Sequence, residues 1–306
     1  MVALGMPPIE VIVNAAGGSF SDDTADVLRA AFDANGLDIT LHLANDGEEI
    51  IEMARKAAVS DAETIVAGGG DGTISAVVSE MYESDKTLGI LPLGTLNNFS
   101  KDLAIPADVD SAVRIIAEGV TSEIDLAEVN GRVFLNNSSI GLYPRIVRNR
   151  EKQQELGHGK WRSAAWAAMR VFKPSSFVKV GIEVEGKIFV RRVPFVFVGN
   201  NRYAMDFLNI GRRESLEQGK LSLYFLHRGG RLGVIFLLLK TVFGTAKQWG
   251  EFEEVLCESL TIQTHRKRLH VAFDGEVSTM QTPLKYRTLP KVLKVLVPPK
   301  AEEEES

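Results

Sequence analysis

The stretch GGGDGT, residues 68–73, constrains this chain more than any other. It follows the apolar run Thr64–Ala67. It precedes a segment in which Ile74, Val77, Val78 and Met81 recur at i, i+3, i+4 and i+7. The run reads as a buried strand and the recurrence as a helix starting just after the glycines. A simple turn needs one or two glycines, whereas here Gly68, Gly69, Gly70 and Gly72 crowd around Asp71. Ligands of open α/β sheets bind at the carboxyl ends of strands. Glycines there let backbone N–H groups approach a phosphate, and the next helix offers its positive end. Thr73 is placed to cap that helix. No Gly-Lys-Ser/Thr follows, so the loop is not a Walker A motif, and the third glycine of the dinucleotide fingerprint falls on Thr73. Asp71 would repel a bare phosphate unless it meets a cation or a sugar hydroxyl.

The flanking sequence repeats this strand-then-helix pattern. Residues 9–13 (IEVIV) form a short apolar run, broken by Asn14 and the glycines after it. Ala25, Leu28, Ala31 and Phe32 recur at helical spacing, Ile39, Leu41 and Leu43 alternate as in a strand, and Ile50, Ala54 and Ala57 share a helix face. Leu88–Leu91 is another apolar run, leading into LPLGTLNNFS at 91–100. There Gly94 and Thr95 supply a turn and a hydroxyl, and Asn97 and Asn98 supply amides. Strands alternating with helices predict a parallel sheet covered on both faces. The three polar, glycine-bearing breaks after three strands are expected at one sheet edge.

Near residue 123 the pattern changes. Ile124, Leu126 and Val129 precede Asn130-Gly131, with Val133 and Leu135 after it, a hairpin signature. Strand-like runs follow at Val178–Val184, Lys187–Val198, Lys220–Leu226, Leu260–Gln263, Leu269–Phe273 and Val292–Val297, interrupted by helical patches at Trp161–Phe172 and Leu232–Phe243. Asp274-Gly275 in HVAFDGEVSTM (270–280) is a second hairpin turn. The reading is an α/β domain with a parallel sheet at 1–125, a mostly antiparallel β domain at 126–298 and an acidic tail at 299–306.

Composition bounds the function. With 25% charged residues and a net charge of −5, nothing points to a nucleic-acid partner. The lone Cys257 excludes an intrachain disulfide and a cysteine-cluster metal site. The sequence shows neither a signal peptide nor an apolar run of the roughly 18 residues a spanning helix needs, so a cytoplasmic location is expected.

GGGDGT, PLGTLNNF and Asn14 together resemble the diacylglycerol kinase catalytic family, which includes bacterial lipid kinases and sphingosine and ceramide kinases. FLNNSSIGLYPRIV (134–147), FVGNNRYA (197–204) and FDGE (273–276) extend the resemblance over most of the chain. NAD kinases and phosphofructokinases share a related GGDG loop, while PLGTLNNF points to the lipid kinase branch. The resemblance implies a two-domain fold, with ATP between the α/β domain and a β-sandwich. It implies transfer of the ATP γ-phosphate to the hydroxyl of diacylglycerol or a similar lipid alcohol. Asn14, Gly68, Gly69, Gly70, Asp71, Gly72, Thr73, Gly94, Thr95 and Asn97 are the expected nucleotide-binding residues. Glu276 is the expected general base, with Asp274 its fallback or a cation partner. The family often places a hydroxyl near the end of strand two, where Thr40 and His42 are candidates without clean alignment.

Catalysis implies Mg²⁺, for which Asp71 is the best local carboxylate. Relatives often hold a structural Mg²⁺ with an Asp just before a Gly; here Gln218 stands at that position in SLEQGKLSL (215–223). An amide is a weaker ligand for a hard cation, which leaves carbonyls at Ser215 and Lys220, or Glu217, as substitutes. Peripheral membrane contact is expected through Leu232–Phe243 or Trp161–Phe172, apolar segments with cationic flanks. HRKR at 265–268 reads as a strand edge blunted by charge or as a phosphate-facing patch. Two rival readings remain, an NAD kinase-like phosphotransferase and a non-catalytic nucleotide-binding regulator. The acceptor lipid and the oligomeric state, a homodimer included, stay open.

Overall fold

The computed structural model describes residues 8–17, 20–21, 23–141, 177–206, 209–213, 215–226 and 252–299. The segments Trp161–Phe172 and Leu232–Phe243 and the acidic tail lie outside the described residues. Contacts divide the chain into two compact units. One runs to Ile124 and takes in the chain from Lys291; the other is Asp125–Pro290.

The first unit is α/β. Its elements are β1 (Ile9–Asn14), α1 (Thr24–Ala34), β2 (Ile39–Ala44), α2 (Gly47–Ala58), β3 (Thr64–Gly69), α3 (Asp71–Met81), β4 (Thr87–Pro92), α4 (Asn98–Asp102) and α5 (Val109–Glu118). The strand order is β2-β1-β3-β4, all parallel. β18 (Leu284–Val297) extends it, pairing Lys294 and Val295 in parallel with Thr87 and Leu88. That pairing places the chain end from Lys291 in this unit, although the sequence reading assigns it to the β domain. Residues 65–69 and 88–92 are buried throughout, as strands covered by helices on both faces must be. Asp46 starts α2 by accepting bonds from the Glu48 and Glu49 amides, both at 2.9 Å. Glu48 and Glu49 in the first turn and Arg55 and Lys56 in the last complement the helix dipole. The sequence reading passed over α5, although Asp108 caps it through the Ser111 amide at 2.8 Å and Ala112, Val113 and Ile116 are buried.

The second unit is an antiparallel sandwich. One sheet runs in the order β14 (Phe252–Cys257), β13 (Leu221–Leu226), β10 (Phe195–Asn200), β7 (Asn137–Gly141), β16 (Arg268–Phe273) and β17 (Glu276–Gln281). The other brings together β9 (Lys187–Val193), β8 (Val178–Val184), β15 (Ser259–Gln263) and the first part of β18. Its core interleaves Val180, Ile182, Ile262, Leu284 and Tyr286 with Ile140, Val198, Leu223, Phe225 and Val271. β5 (Val120–Val129) and β6 (Arg132–Phe134) form the expected hairpin. Asn130 and Gly131 both take positive φ (48° and 84°), the two-residue turn that Asn-Gly favours. The expected single strand Lys187–Val198 is two: Pro194 separates β9 from β10, and the two halves belong to different sheets. Proline has no N–H for the ladder, so it sits where pairing ends. β11 (Tyr203–Asp206) and β12 (Asn209–Arg213) pair as a small separate ribbon.

Candidate functional site

In the first unit, register brings the three breaks together. Val13 pairs with Gly68, Gly68 with Leu91, and Gly69 with Pro92. The ends of β1, β3 and β4 therefore share one carboxyl edge. The order β2-β1-β3 reverses direction beside β1, so the β1/β3 boundary is the crevice where open sheets bind ligands. Asn14 spans that boundary: its Nδ2 donates to Thr73 Oγ1 at 3.2 Å, and its Oδ1 accepts from the Ala16 amide at 3.0 Å.

The glycine stretch is not a long loop. Gly68 and Gly69 finish β3, Gly70 is the only connecting residue, and α3 starts at Asp71. Thr73 thus lies within the first turn, buried, and the helix has no side-chain cap; Gly70 occupies the cap position. The expected capping by Thr73 is corrected on this point. Its hydroxyl fits under β3 instead, and a Cβ at Gly69 would stand 2.5 Å from Thr73 Oγ1. A Cβ at Gly94 would run into the Cα of Gly70, so the close approach of those two backbones requires glycine at 94. Gly72 differs, being exposed with nothing within 4 Å of where its Cβ would be. The first bond of the helix runs from the Ile74 amide to the Gly70 carbonyl at 3.1 Å. Ahead of it, the amides of Asp71, Gly72 and Thr73 point out of the first turn, where a helix leaves its donors unpaired.

Asp71 spends its carboxylate on α4. Oδ1 accepts from the Phe99 amide at 2.9 Å, and Oδ2 accepts from the Asn98 amide at 3.1 Å and from Asn98 Nδ2 at 3.3 Å. It caps α4 from another element, a role the spacing of one chain segment cannot reveal. Asn97, with φ of 48°, is buried and turned inward. Its Nδ2 donates to the carbonyls of Pro92 (2.9 Å) and Gly94 (2.7 Å), and its Oδ1 accepts from the Gly94 amide (3.0 Å). Asn97 thereby builds the loop that presents Thr95, which is exposed beside the exposed Leu96. Of the strand-two candidates, His42 Nε2 bonds Glu10 Oε2 at 2.5 Å.

In the second unit the FDGE segment is a hairpin turn. Asp274 and Gly275 have φ of 47° and 90°, and β16 and β17 pair Phe273 with Glu276 across them. Asp274 is anchored to the start of β7. Its carboxylate accepts the amides of Leu135 (2.7 Å), Asn136 (2.8 Å) and Asn137 (3.1 Å). Glu276 projects outward, 60% exposed, with Oε2 3.1 Å from Arg132 Nη2. Arg132 is itself held by Ser278 Oγ at 3.1 Å and by the Phe273 ring 4.1 Å away. The two carboxylates, alike in sequence, occupy opposite environments.

The sequence reading missed the support behind Asp274. Arg213, buried, donates to the Leu135 carbonyl at 2.6 Å and to Asn136 Oδ1 at 3.0 Å. Asn200 Nδ2 donates to the Leu135 carbonyl at 2.9 Å, and the Tyr203 hydroxyl to the Asn136 carbonyl at 2.9 Å. The peptides that give their N–H groups to Asp274 are thus held through their carbonyls, and such chained bonds polarise one another. The signal lay in FVGNNRYA, where polar residues end an apolar strand. At SLEQGKLSL, Gln218 is exposed and its Oε1 is 3.4 Å from the Arg202 amide. The loop is pinned by buried Asp125, which accepts the Gly219 amide at 2.6 Å. Among the described residues no three His, Cys, Asp or Glu side chains form a metal-binding group. No helix among them is long and apolar enough to cross a membrane.

Two family models divide the chain near the same point, although the second runs on past Lys291. Residues 8–129 match the model of the diacylglycerol kinase catalytic domain, and 141–297 that of the YegS C-terminal NAD kinase beta sandwich-like domain. The chain is 28% identical over 230 residues to the diacylglycerol kinase of Bacillus subtilis (strain 168), covering 73% of this chain and 75% of that protein. It is 26% identical over 196 residues to that of Staphylococcus carnosus (strain TM300), covering 63% of each. A protein of Yersinia enterocolitica named "probable lipid kinase YegS-like" is 39% identical over 129 residues, 40% of this chain and 44% of that one. The matches thus span less than two thirds of the latter two relatives. Crystal structures from Bacillus anthracis str. Sterne share the fold. One aligns with a TM-score of 0.74 at 22% identity over 96% of this chain and 98% of its own. Another, described as a diacylglycerol kinase, aligns with a TM-score of 0.67 at 20% identity over 96% and 97%. Matched by both models from residue 8 to residue 297 with only a short gap, the chain belongs to the family that joins a diacylglycerol kinase catalytic domain to a YegS C-terminal NAD kinase beta sandwich-like domain.

Proposed function

We propose that this chain is an ATP-dependent lipid kinase that transfers the γ-phosphate of ATP to the hydroxyl of diacylglycerol or a similar lipid alcohol. The observation that carries the reading is the carboxyl edge of β1, β3 and β4. There the uncapped first turn of α3 and the exposed Gly72 leave a backbone surface open beside the crevice. Such a surface suits the phosphates of a nucleotide, with the helix end contributing positive potential. Thr95 offers a hydroxyl on the adjoining loop. Asn14 and Asn97 contribute by holding the edge in shape.

Phosphoryl transfer asks a protein chiefly for positioning and charge stabilisation, with a carboxylate to take the attacking hydroxyl's proton. Glu276 fills that role in this proposal: it accepts the proton while the lipid oxygen bonds the γ-phosphorus and ADP leaves. Its exposure suits it to reach a hydroxyl, and Arg132 fixes its direction. Asp274, saturated with backbone donors, holds the hairpin. A divalent cation, when bound, supplies charge neutralisation across the phosphates. The donor set suits a cation carried on those phosphates and water, the usual habit of Mg²⁺, with Asp71 the nearby carboxylate. Peripheral contact with a membrane surface follows from the lipid acceptor.

The test is transfer of labelled γ-phosphate across a panel of diacylglycerol, monoacylglycerol and sphingoid bases, with NAD as a control acceptor. A labelled phospholipid is the expected product. Label passing to NAD alone, or to no acceptor while ATP still binds, would replace this reading with one of its rivals.

A further inference from the structure

The basic run at 265–268 has no part in the proposed chemistry, and its two readings, an edge blunted by charge and a phosphate-facing patch, can be set against its surroundings. Arg268 begins β16, which lies between β7 and β17 in the sheet. Pairing with β7 covers only Val271–Phe273, so among the described residues Arg268 and His270 are paired on the β17 side alone. The exposed residues Arg266, Arg268, His270 and Thr279 line an open surface cavity of about 190 Å³, together with Gly141, Val178 and Leu269. Gly141, the last residue of β7, and Val178, the first of β8, border it from the neighbouring strands. His270 and Thr279 face each other across β16 and β17, with Nδ1 and Oγ1 3.0 Å apart.

Among the described residues no carboxylate pairs with the guanidinium of Arg266 or of Arg268. Other arginines of this unit are paired: Arg132 with Glu276, Arg202 with Glu254 and Arg287 with Glu128. Two exposed guanidinium side chains without a carboxylate partner thus border one small surface hollow in a chain whose net charge is −5. Like charges in proximity repel, and an anion between them reverses the sign of that interaction. A guanidinium presents a planar fork of donors that matches phosphate oxygens. The bonded pair of Thr279 and His270 adds one further donor, the hydroxyl or the Nε2–H according to the imidazole tautomer. One water occupies about 30 Å³ of liquid, so the cavity holds a tetrahedral anion with its nearest waters.

We propose that this cavity is a phosphate-binding site, lined by none of the residues of the nucleotide edge, that takes free phosphate or the headgroup of an anionic phospholipid. Thr279 lies three residues beyond Glu276 on β17, about 10 Å along a strand. An offset of three residues along a strand puts the two side chains on opposite faces of the sheet, so a headgroup held here would not contact the exposed carboxylate. The inference rests on the cavity and its unpaired cations and stands whether or not the chain is a kinase.

The test uses the full chain and its R266Q/R268Q variant, with circular dichroism to confirm folding. Inorganic phosphate is added at constant ionic strength against chloride. Vesicles of phosphatidylcholine alone are compared with vesicles containing phosphatidic acid. The expected result is a phosphate-dependent rise in melting temperature, or retention on the phosphatidic acid vesicles, that the variant loses. Vesicle affinity is expected to fall about fivefold for each arginine removed. Retention on the phosphatidic acid vesicles that the variant loses and that excess free phosphate competes away assigns the lipid headgroup; a melting shift without retention assigns free phosphate. Should the variant fail to fold, phenylglyoxal labelling of Arg266 and Arg268 in the native chain replaces it, with protection by phosphate and not by chloride expected. Identical behaviour of wild type and variant in both arms, or labelling that phosphate does not slow, overturns the proposal.

Discussion

The glycine edge of the first unit and the Asp-Gly hairpin of the second use polar side chains in opposite ways. At the edge, Asn14, Asp71 and Asn97 bond to neighbouring loops and leave backbone facing the crevice. On the hairpin, Asp274 bonds backbone and leaves a side chain, Glu276, facing solvent. One region presents donors of the main chain, suited to an anion; the other presents a carboxylate, suited to a proton. The difference teaches that a polar residue in a motif is as often the fixture as the tool.

Replacing the two hairpin carboxylates should separate the tool from the fixture most sharply. If Glu276 is the base, Glu276→Gln lowers kcat by roughly 100- to 10,000-fold while leaving the melting temperature unchanged, because the side chain is largely exposed. Asp274→Ala instead strands three backbone donors and destabilises the fold by at least about 1–3 kcal/mol, read by denaturant titration. Equal thermal loss in both variants would end the distinction. At the glycine edge, Gly94→Ala forces the two loops apart and costs about 1–3 kcal/mol, with nucleotide affinity falling alongside. Gly72→Ala is the smaller and more telling change. With open space around its Cβ, alanine should gain up to about 1 kcal/mol of helix stability, yet weaken ATP binding where the phosphates approach. Calorimetry showing unchanged ATP affinity would remove Gly72 from the binding surface.

The two units also differ towards alkali. Burial pushes the Cys257 thiol up to about 11, and it raises the Tyr224 and Tyr286 hydroxyls as well, helped at Tyr224 by its bond to Glu254. All three lie in the second unit. An unfolded chain releases the thiol proton near its ordinary value of about 8.5, whereas the folded one keeps it. The stabilisation is therefore whole below about pH 8.5 and is lost as pH rises towards 11. Hydrogen exchange should show the sandwich loosening over that range before the α/β unit does. At neutral pH Cys257 should resist alkylation until the chain unfolds.

How far the sequence led depends on the range of the interactions concerned. Local periodicity located β1 to β4 and α1 to α3 nearly to the residue, and the turn chemistry of Asn130-Gly131 and Asp274-Gly275 located two hairpins. Pro194 marked a change of sheet that the continuous apolar pattern of 187–198 concealed. Asp108 and the spacing of Ala112, Val113 and Ile116 carried a helix signal that went unread. Within the site, GGGDGT, Asn14 and PLGTLNNF were correctly expected at one edge, because parallel strands of similar length end together. Their side-chain bonds were not legible: the partners of Asp71 are 27 and 28 residues away and those of Asp274 nearly 140.

The sequence by itself determined the alternation of strand and helix, the change to antiparallel pairing, and where glycine is required. Those follow from short-range sterics and the burial of apolar faces. Which polar groups face each other and which face out was set by long-range packing. Asp71 turned to α4, Asp274 to the amides at 135–137, and Arg266 and Arg268 to a shared cavity. A side chain's bonding capacity is local, but its partners are chosen by packing across the chain.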